Sequence, residues 1–518
     1  MIRTARQSVA AVAACAAVVL SGCSKHSDPG PLSAIVSPAI APSAQEIANP
    51  LRGQYEDLLN PLFPQGNPAQ QRYPAWPASY DASMRISWRQ LQPIDPATLP
   101  PDAPDDRKFD FSAIDDTLNK LASRNMRLSL RITTVNTDPH DTTIAIPEWM
   151  RPASTSYPAA PNGSRTPQVV PNWDDPRYLD AFCRLLAALG RRYNGDERLS
   201  VFEFSGYSQF RDQGISDASV RQLVTANVNA FPHTQLVVAP QHPEIVRALL
   251  ADDVTKRLSA PVGIRAECLG TQSPLPAWAE SGDSQYVRNN DAVVNVLKQR
   301  LASAPVITQW CPLPAGTDPK TYYEKGLHDV LRYHVSMTSS TYFPDRDSTS
   351  AMNPKLYALW AQANAAAGYR YSIQARPGSQ SIEGKVAAIL VEWTNYGSAA
   401  TTERWAPGYK LVDSSGAVVR TLPSTVNLKT LVHDDSSPSR EEAVPATFTE
   451  TVHVDLAGLA PGHYTLRASV DWQQHKPGAT HVVNYGPMAL ARDGRDGSGL
   501  YPVAALDIPR SSLAATRG

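Results

Sequence analysis

Short apolar segments alternate with helical patterns over most of the first 370 residues of this chain of 518. Eight of these segments have the length and residue types of buried strands. They lie at 52–55, 84–88, 127–132, 200–205, 235–239, 263–268, 306–310 and 335–339. Eight strands that alternate with helices predict a (β/α)8, TIM-like barrel over 46–367. A doubly wound sheet is the alternative, but the first strand is not followed by a Gly-rich phosphate loop.

The helical pattern is clearest at 112–123 and 178–193, where apolar residues recur every three or four positions. The stretch at 134–172, after the third strand, is longer than a simple connection needs. In a barrel, loops that follow the strands form the face that carries function. This insertion is therefore predicted to be a loop of the functional face.

From about Tyr369 the pattern changes to strands without helices. Predicted strands lie at 386–394, 410–413, 418–421, 447–454, 463–472 and 482–485, separated by turn signals. That spacing is typical of an immunoglobulin-like β-sandwich, which we assign to 368–492. The remaining residues, 493–518, are predicted to form a loosely ordered tail.

The N-terminus has the organisation of a signal peptide at 1–22. Arg3 and Arg6 precede an uncharged apolar run at 9–20, which is too short to span a bilayer. The run ends in Leu20-Ser21-Gly22-Cys23, which resembles the lipobox of bacterial lipoproteins. The resemblance implies cleavage before Cys23, lipidation of Cys23, and a location in the cell envelope, anchored on the extracytoplasmic side of a membrane. An ordinary secretory signal with a chance cysteine is the alternative.

Composition narrows the range of partners. Residues 23–45 are rich in Ser, Pro and Ala and predict a flexible lipidated tether. The formal net charge of −1 gives no reason to expect nucleic acid as a partner. The 45 prolines against 28 glycines fit a loop-rich exported protein. No zinc-protease, nucleophile-elbow or phosphate-loop motif occurs, and we predict no cofactor and no metal site.

Several segments resemble an uncharacterised bacterial lipoprotein family whose barrel is akin to the clan-A, retaining TIM-barrel glycoside hydrolases. They are Asn-Pro-Leu-Arg-Gly at 49–53, Phe-Asp-Phe-Ser-Ala-Ile-Asp at 109–115 after Trp88, Leu-Arg-Ile at 130–132, Gly-Ile-Arg at 263–265, Cys-Leu-Gly at 268–270 and Gly-Tyr-Arg at 368–370. In order and spacing they cover roughly 49–490. The resemblance implies a barrel with a C-terminal β-sandwich and carbohydrate as the ligand.

A retaining glycosidase needs two carboxyl groups, and the resemblance implies one after the fourth strand and one at the end of the seventh. Glu203 lies on the fourth strand and is predicted to face the barrel interior, because Phe202 and Phe204 point the other way. Relatives carry a Gly-Glu-Trp-Gly-Glu-like stretch where 208–212 falls here, so Asp212 stands in place of a glutamate. Alternatively, Glu203 is a structural carboxylate paired with an arginine, and Asp212 is a solvated loop residue.

At the end of the seventh strand stands Gln309, where the resemblance implies a carboxylate. An amide cannot be the nucleophile of a glycosyl-enzyme intermediate, although it can hydrogen-bond sugar hydroxyls. Glu267, at the end of the sixth strand, is the carboxylate that could take over a catalytic role. Alternatively, Arg265 lies on the same face as Glu267 and is its structural partner.

Aromatic residues at strand ends and in the following loops suit a carbohydrate cleft, because ring faces pack against the apolar faces of sugars. They are Trp88, Trp149, Trp173, Tyr207 and Trp310. Packing at the barrel rim is the alternative for each. With Arg131, Arg265 and Gln309, the residues Trp88, Tyr207 and Trp310 form the predicted binding set.

Besides Cys15 in the signal peptide and Cys23 in the anchor, the chain has three cysteines. Cys268 and Cys311 end neighbouring strands of the predicted barrel, about 4.8 Å apart, which is within reach of a disulfide in an oxidising compartment. Cys183 is then a free, buried thiol of a helix.

Two hypotheses remain. In one, the chain is a surface lipoprotein that binds carbohydrate and hydrolyses a glycosidic bond with an altered catalytic pair drawn from Glu267, Asp212 and Glu203. In the other, it is an inactive glycan-binding or envelope-assembly protein. The sequence does not decide the sugar, the linkage or the oligomeric state.

Overall fold

The computed structural model of the chain describes residues 30–40, 47–58, 79–136, 144–157, 168–208, 213–271, 293–311, 313–339, 352–432 and 444–510. Eight parallel strands among these residues close into a barrel. In chain order they are Gly53–Asp57, Asp81–Ser87, Arg127–Thr133, Leu199–Glu203, Gln235–Val238, Gly263–Leu269, Val306–Trp310 and Val335–Ser339. The eighth strand pairs with the first, with Ser339 beside Tyr55. The predicted eight-stranded barrel is therefore confirmed.

Helices occupy the connections between the strands. They are Trp88–Leu91, Asp105–Lys108, Ser112–Ala122, Pro176–Tyr193, Asp217–Ala230, Pro243–Leu249, Asp252–Thr255, Val293–Ser303, Pro319–Arg332 and Pro354–Ala366. Four of the long helices begin where a side chain accepts a hydrogen bond from the first turn, at Asp175, Ser216, Asp318 and Asn353. Such a cap stabilises a helix by about 1 kcal/mol, which explains why the helices start at these residues. The insertion after the third strand contains a 3-10 helix, Glu148–Ala153, and a strand pair, Ser154–Tyr157 with Gln168–Pro171.

Two apolar regions hold the barrel together. The larger lies between the strands and the helices, and Phe202, Leu185 and Leu223 are among its fully buried side chains. A smaller one fills the barrel interior and consists of Leu51, Tyr55, Val201, Val237, Ile307 and Met337. Because these side chains pack together, the barrel is closed below its upper layer and is no open pore.

Two antiparallel sheets follow the barrel. One has the strand order Leu32–Ala34, Tyr501–Ile508, Gly462–Trp472, Trp405–Asp413 and Val418–Pro423. In the other, Val386–Asn395 pairs with Tyr371–Ala375, Ser381–Glu383 and Ala446–Asp455. Buried side chains of both sheets share one core, as Trp393 and Val391 do with Leu466 and Val503.

The two ends of the described chain depart from the predictions. Leu32–Ala34 pairs with Tyr501–Ile508, so the flexible tether predicted for 23–45 is wrong for this part of the segment, which is a sheet strand. The prediction of a loosely ordered tail is wrong for 493–510, because this stretch contains the strand Tyr501–Ile508, which pairs with Gly462–Trp472. A strand was predicted at 482–485, where the structure has none.

The sheets dock on the barrel where its strands begin. Arg127, the first residue of the third strand, pairs with Glu403 at 2.5 Å and lies 5.5 Å from the ring centre of Trp472. Lys476 donates through Nζ to the carbonyl of Leu199, the first residue of the fourth strand. At the eighth strand, the Ser398 hydroxyl donates to the carbonyl of Val335 at 2.7 Å. The β-sandwich therefore covers the N-terminal face of the barrel and leaves the opposite face to the loops.

No helix in the described part of the chain is long and apolar enough to cross a membrane.

Candidate functional site

A polar layer lies directly above the apolar side chains that fill the barrel interior, which we call the floor. Alternation along each strand places Glu203 two residues after Val201, and Gln309 two residues after Ile307, both of which belong to the floor. The same step leads from Tyr55 to Asp57 on the first strand. The inward orientation predicted for Glu203 is confirmed by its contacts with arginines of the third and sixth strands. This layer, which we call the barrel mouth, is the candidate site.

Glu203 is buried and held by two arginines. Its Oε1 lies 3.2 Å from Nη1 of Arg131, and its Oε2 lies 3.7 Å from Nε of Arg265. Its side chain is only 7% exposed, as is that of Arg265. Burying a carboxylate is costly unless it is paired, so the two guanidinium groups make this position tolerable. Both oxygens of Glu203 are thereby engaged.

Glu267 shares an arginine with Glu203. The same Nη1 of Arg131 lies 3.7 Å from Oε1 of Glu267, whose side chain is 32% exposed. Because both Oε1 atoms approach one nitrogen, at 3.2 and 3.7 Å, they are no more than about 7 Å apart. The partner of Glu267 is thus Arg131 on the third strand, and the pairing with Arg265 that the sequence left open is not the one observed.

Gln309 is fixed by Arg265. Nη2 of Arg265 donates to the amide oxygen of Gln309 at 2.8 Å, across neighbouring strands. Nη1 of Arg265 is buried and has no hydrogen-bond partner among the described residues. The guanidinium carbon lies 5.6 Å from the ring centre of Tyr55, and burial raises the pKa of that phenol to about 12 while Arg265 opposes the shift. Tyr55 is therefore a neutral hydroxyl at neutral pH.

His242 adds a neutral imidazole to the mouth. It follows the fifth strand, is 8% exposed, and its Nδ1 has no hydrogen-bond partner in the described part of the chain. Burial lowers its pKa to about 4, with the charge of Arg131 acting in the same sense and that of Glu267 opposing. Its ring lies 5.2 Å from that of Tyr207, in an edge-on contact. His242 was not predicted from the sequence, because the four residues between the fifth strand and its helix show no periodicity.

A further ion pair, separate from the arginines around Glu203, completes the layer. Nη2 of Arg85, on the second strand, lies 3.4 Å from Oδ2 of Asp57, at the end of the first strand. The Arg85 side chain is 23% exposed and that of Asp57 is 2% exposed. Neither residue was singled out from the sequence, although both face inward by strand alternation. The mouth thus holds three guanidinium groups and three carboxylates.

Two predicted sugar-binding aromatics lie elsewhere. Trp310 is 2% exposed and packs outward against Tyr322 and Tyr323 of the helix Pro319–Arg332, at ring distances of 5.4 and 5.3 Å. Trp88 is fully buried and donates through Nε1 to Gln92 at 2.8 Å. Both rings belong to the core between strands and helices, which is the alternative the sequence left open. Trp310 and Trp88 therefore do not line the barrel mouth.

Tyr207, which follows the fourth strand, lies beside the mouth through its contact with His242. Tyr207 is 6% exposed, and its ring lies 5.3 Å from that of the buried Trp173. Burial raises the pKa of Tyr207 above its ordinary value, and the charge of Glu244 adds to that effect. Trp149 is only partly buried and lies 5.7 Å from Trp88.

A disulfide joins the sixth and seventh strands beside the mouth. Cys268 and Cys311 are bonded, with Cα atoms 4.6 Å apart, which confirms the predicted bridge. It follows Glu267 directly and lies two residues beyond Gln309. Cys183 is free, as predicted, but it is partly exposed and not buried.

Two predicted residues, Asp212 and Cys23, lie outside the described part of the chain. Within the described ranges, no three His, Cys, Asp or Glu side chains are grouped so that they could hold a metal ion.

The sequence matches no family model and no curated protein. Among solved structures, the chain is similar to endo-glycoceramidase II from Rhodococcus sp. in its ganglioside GM3 complex, at 12% identity and a TM-score of 0.40, over 80% of this chain and 99% of that one. It is also similar to an endo-β-1,4-mannanase from Thermotoga petrophila, at 8% identity and a TM-score of 0.36, over 84% and 97%. A third likeness is to β-galactosidase from the psychrophilic Marinomonas ef1, at 11% identity and a TM-score of 0.34, over 60% and 58%.

These likenesses are distant, with no TM-score above 0.40. They assign no activity to this chain. The barrel is established by the order in which its own strands pair, and its function depends on the residues of the mouth.

Proposed function

We propose that the chain is an extracytoplasmic lipoprotein whose barrel mouth binds carbohydrate and does not hydrolyse it by the retaining mechanism. The observation that carries the proposal is Gln309, which stands at the end of the seventh strand and is held by Arg265 at 2.8 Å. An amide at this position cannot form a glycosyl-enzyme intermediate. Both oxygens of Glu203 are engaged by arginines, which leaves this carboxylate poorly placed to transfer a proton.

The polar groups of the mouth suit a ligand rich in hydroxyl groups. Nη1 of Arg265 and Nδ1 of His242 are buried polar atoms without a hydrogen-bond partner among the described residues. Leaving such atoms unpaired costs on the order of 1–3 kcal/mol each, so a ligand that pairs them gains binding energy. Glu267 and Arg131, about one third and one fifth exposed, offer an acceptor and a donor at the surface of the layer.

A second candidate, hydrolysis by Glu203 and Glu267, rests on their separation. Their Oε1 atoms are at most about 7 Å apart, and two glycosidase carboxyl groups lie about 5–5.5 Å apart for retention or 6.5–9.5 Å for inversion. Glu267 is exposed enough to reach a substrate. In this case Glu203 would have to leave one of its arginines during the reaction.

Binding is tested on an array of soluble glycans with wild type, Glu267→Gln and Glu324→Gln. Glu324 lies on an outer helix with its side chain 47% exposed, so it controls for loss of one negative charge away from the mouth. We expect wild type and Glu324→Gln to bind the same glycans, and Glu267→Gln to bind them at least about tenfold more weakly, since a charged hydrogen bond is worth about 1.5–3 kcal/mol. Absence of binding to every glycan would contradict the carbohydrate assignment.

The anchor is supported by the lipobox-like residues at 20–23 and by the Cys268–Cys311 disulfide, which fits an oxidising compartment. We propose that Cys23 carries the lipid. Cys23→Ser should abolish lipid attachment and release the protein from membranes, whereas Cys15→Ser, within the signal segment, should not. Mass spectrometry of the mature N-terminus would contradict the anchor if Cys23 carried no lipid.

We further propose that the β-sandwich is of the immunoglobulin-like type and serves as an accessory module. Its two sheets with one shared core support this assignment.

A further inference from the structure

One strand of the β-sandwich, Gly462–Trp472, begins at the barrel with its last residue and leads away from it towards its first. Trp472, at one end of the strand Gly462–Trp472, touches Arg127 at the start of the third barrel strand. Tyr464 lies eight residues earlier on the same strand, about 27 Å away at the usual rise of about 3.4 Å per residue. Tyr464 pairs with Asp413 on one side and with Leu506 on the other. This end of the sheet, which we call the distal end, is the one remote from the barrel.

The N-terminal segment enters at the distal end. Leu32 pairs with Leu506, which in turn pairs with Tyr464. From there the chain runs back towards the barrel, where the carbonyl of Ile40 accepts from Arg370 at 3.2 Å and the carbonyl of Ile47 accepts from Arg52. The anchoring segment is therefore attached to the molecule at the distal end of the β-sandwich.

The mouth is at the opposite end of the molecule. The β-sandwich contacts the starts of the barrel strands, through Asn49 before the first strand, Arg127 on the third and Leu199 on the fourth. Arg131 lies four residues beyond Arg127, about 13 Å along the third strand. The path from the distal end to the mouth, measured along the strand Gly462–Trp472 and then along the third barrel strand, is thus about 40 Å.

From this geometry we infer that the barrel mouth cannot face the bilayer that anchors the chain, so that its carbohydrate is a polysaccharide outside that bilayer and not the head group of a glycolipid within it. The inference rests on the proposed lipid at Cys23. Gly30, where the described structure begins, lies seven positions after Cys23, and a fully extended chain spans at most about 3.6 Å per position, or about 25 Å. That reach is shorter than the roughly 40 Å by which the molecule would have to be lifted to turn the mouth onto the membrane.

The test compares two fluorophore positions on the full, lipidated protein in phospholipid vesicles with acceptor dyes on the lipid head groups. Ala315→Cys places a dye on the exposed loop after the seventh strand, at the mouth. Ser414→Cys places one on the exposed hairpin beside Asp413, at the distal end. Both variants carry Cys183→Ala, since Cys183 is the free thiol of the described chain, while the Cys268–Cys311 bridge does not react.

We expect energy transfer to the bilayer to be several-fold stronger from position 414 than from position 315. Equal or stronger transfer from position 315, in protein that floats with the vesicles, would overturn the orientation and leave the anchor intact. Wild-type protein that fails to float with the vesicles would overturn the anchor, and the inferred orientation with it. Carbohydrate binding is measured separately on the soluble glycan array, so its failure is distinguishable from both.

Discussion

Arg265 and Gln309 lie side by side on the sixth and seventh barrel strands, joined by a 2.8 Å hydrogen bond from a guanidinium Nη2 to an amide oxygen. The same guanidinium lies 3.7 Å from Glu203, so one arginine connects the buried carboxylate of the fourth strand with the amide at the end of the seventh. An amide at the end of the seventh strand supplies no nucleophile, while the buried carboxylate of Glu203 keeps both of its arginines.

Gln309→Glu is predicted to give slow turnover of 4-nitrophenyl glycosides. The new carboxylate would act as the nucleophile on the sugar. The nitrophenolate leaving group departs without protonation, so no proton from Glu203 is needed. Gln309→Asn, which keeps an amide, should remain inactive and serves as the control. Release of nitrophenolate is the measurement. Equal release by the two variants would show that position 309 is not where a nucleophile acts.

Arg265→Leu is predicted to destabilise the barrel by about 3 kcal/mol, because it removes one of the two arginines that pair with the buried Glu203 and the donor to the Gln309 amide oxygen. Urea unfolding measures the loss, and Glu203→Gln combined with Arg265→Leu should recover part of it. The control is Arg184→Ala, whose pair with Asp180 is more than half exposed on both sides and should contribute less than about 1 kcal/mol. A loss from Arg265→Leu no larger than that control would mean that Glu203 does not depend on its arginine.

Strand alternation accounts for what could be predicted about the mouth. Glu203 faces inward because Val201 does, and Gln309 follows Ile307 in the same way. The same rule puts Trp310 on the outer side, where it packs on Tyr322, so this residue could have been excluded from the cleft on alternation alone.

Other parts depend on contacts between distant parts of the chain. Tyr501–Ile508 was missed because its register shifts beside Leu466, which breaks the period of two, and because Pro502 weakens the strand pattern. Leu32–Ala34 is short and forms a strand only by pairing with it. His242 comes to the mouth through the turn after the fifth strand, which no local pattern indicates.

Removal of the disulfide is predicted to lower the free energy of unfolding by about 4 kcal/mol, since the bridge closes a loop of 43 residues. Urea unfolding of the variant Cys268→Ser with Cys311→Ser measures the loss, and Cys183→Ser is the control. Denatured wild type should show one reactive side-chain thiol, that of Cys183. Three reactive thiols would contradict the bridge.

Stability is predicted to rise between about pH 7 and pH 10 because of Lys476. Burial lowers the pKa of its ammonium group from 10.5 to about 7, and Arg127 acts in the same sense. Across this interval the unfolded chain holds a proton that the folded chain has lost, so raising the pH favours the folded state.

Urea unfolding as a function of pH measures the slope. Lys476→Met should flatten it, whereas Lys120→Met, on an exposed helix surface, should not. An unchanged slope in Lys476→Met would assign the pH dependence to other groups.

The central claim is tested most directly by incubating wild-type protein with a panel of soluble glycans and measuring both bound glycan and released reducing ends. We predict that one class of glycan binds and that no reducing ends appear, because Gln309 supplies no nucleophile and Glu203 is engaged on both oxygens. Release of reducing ends by wild type that is lost in Glu267→Gln would contradict the claim and establish the Glu203–Glu267 pair as catalytic.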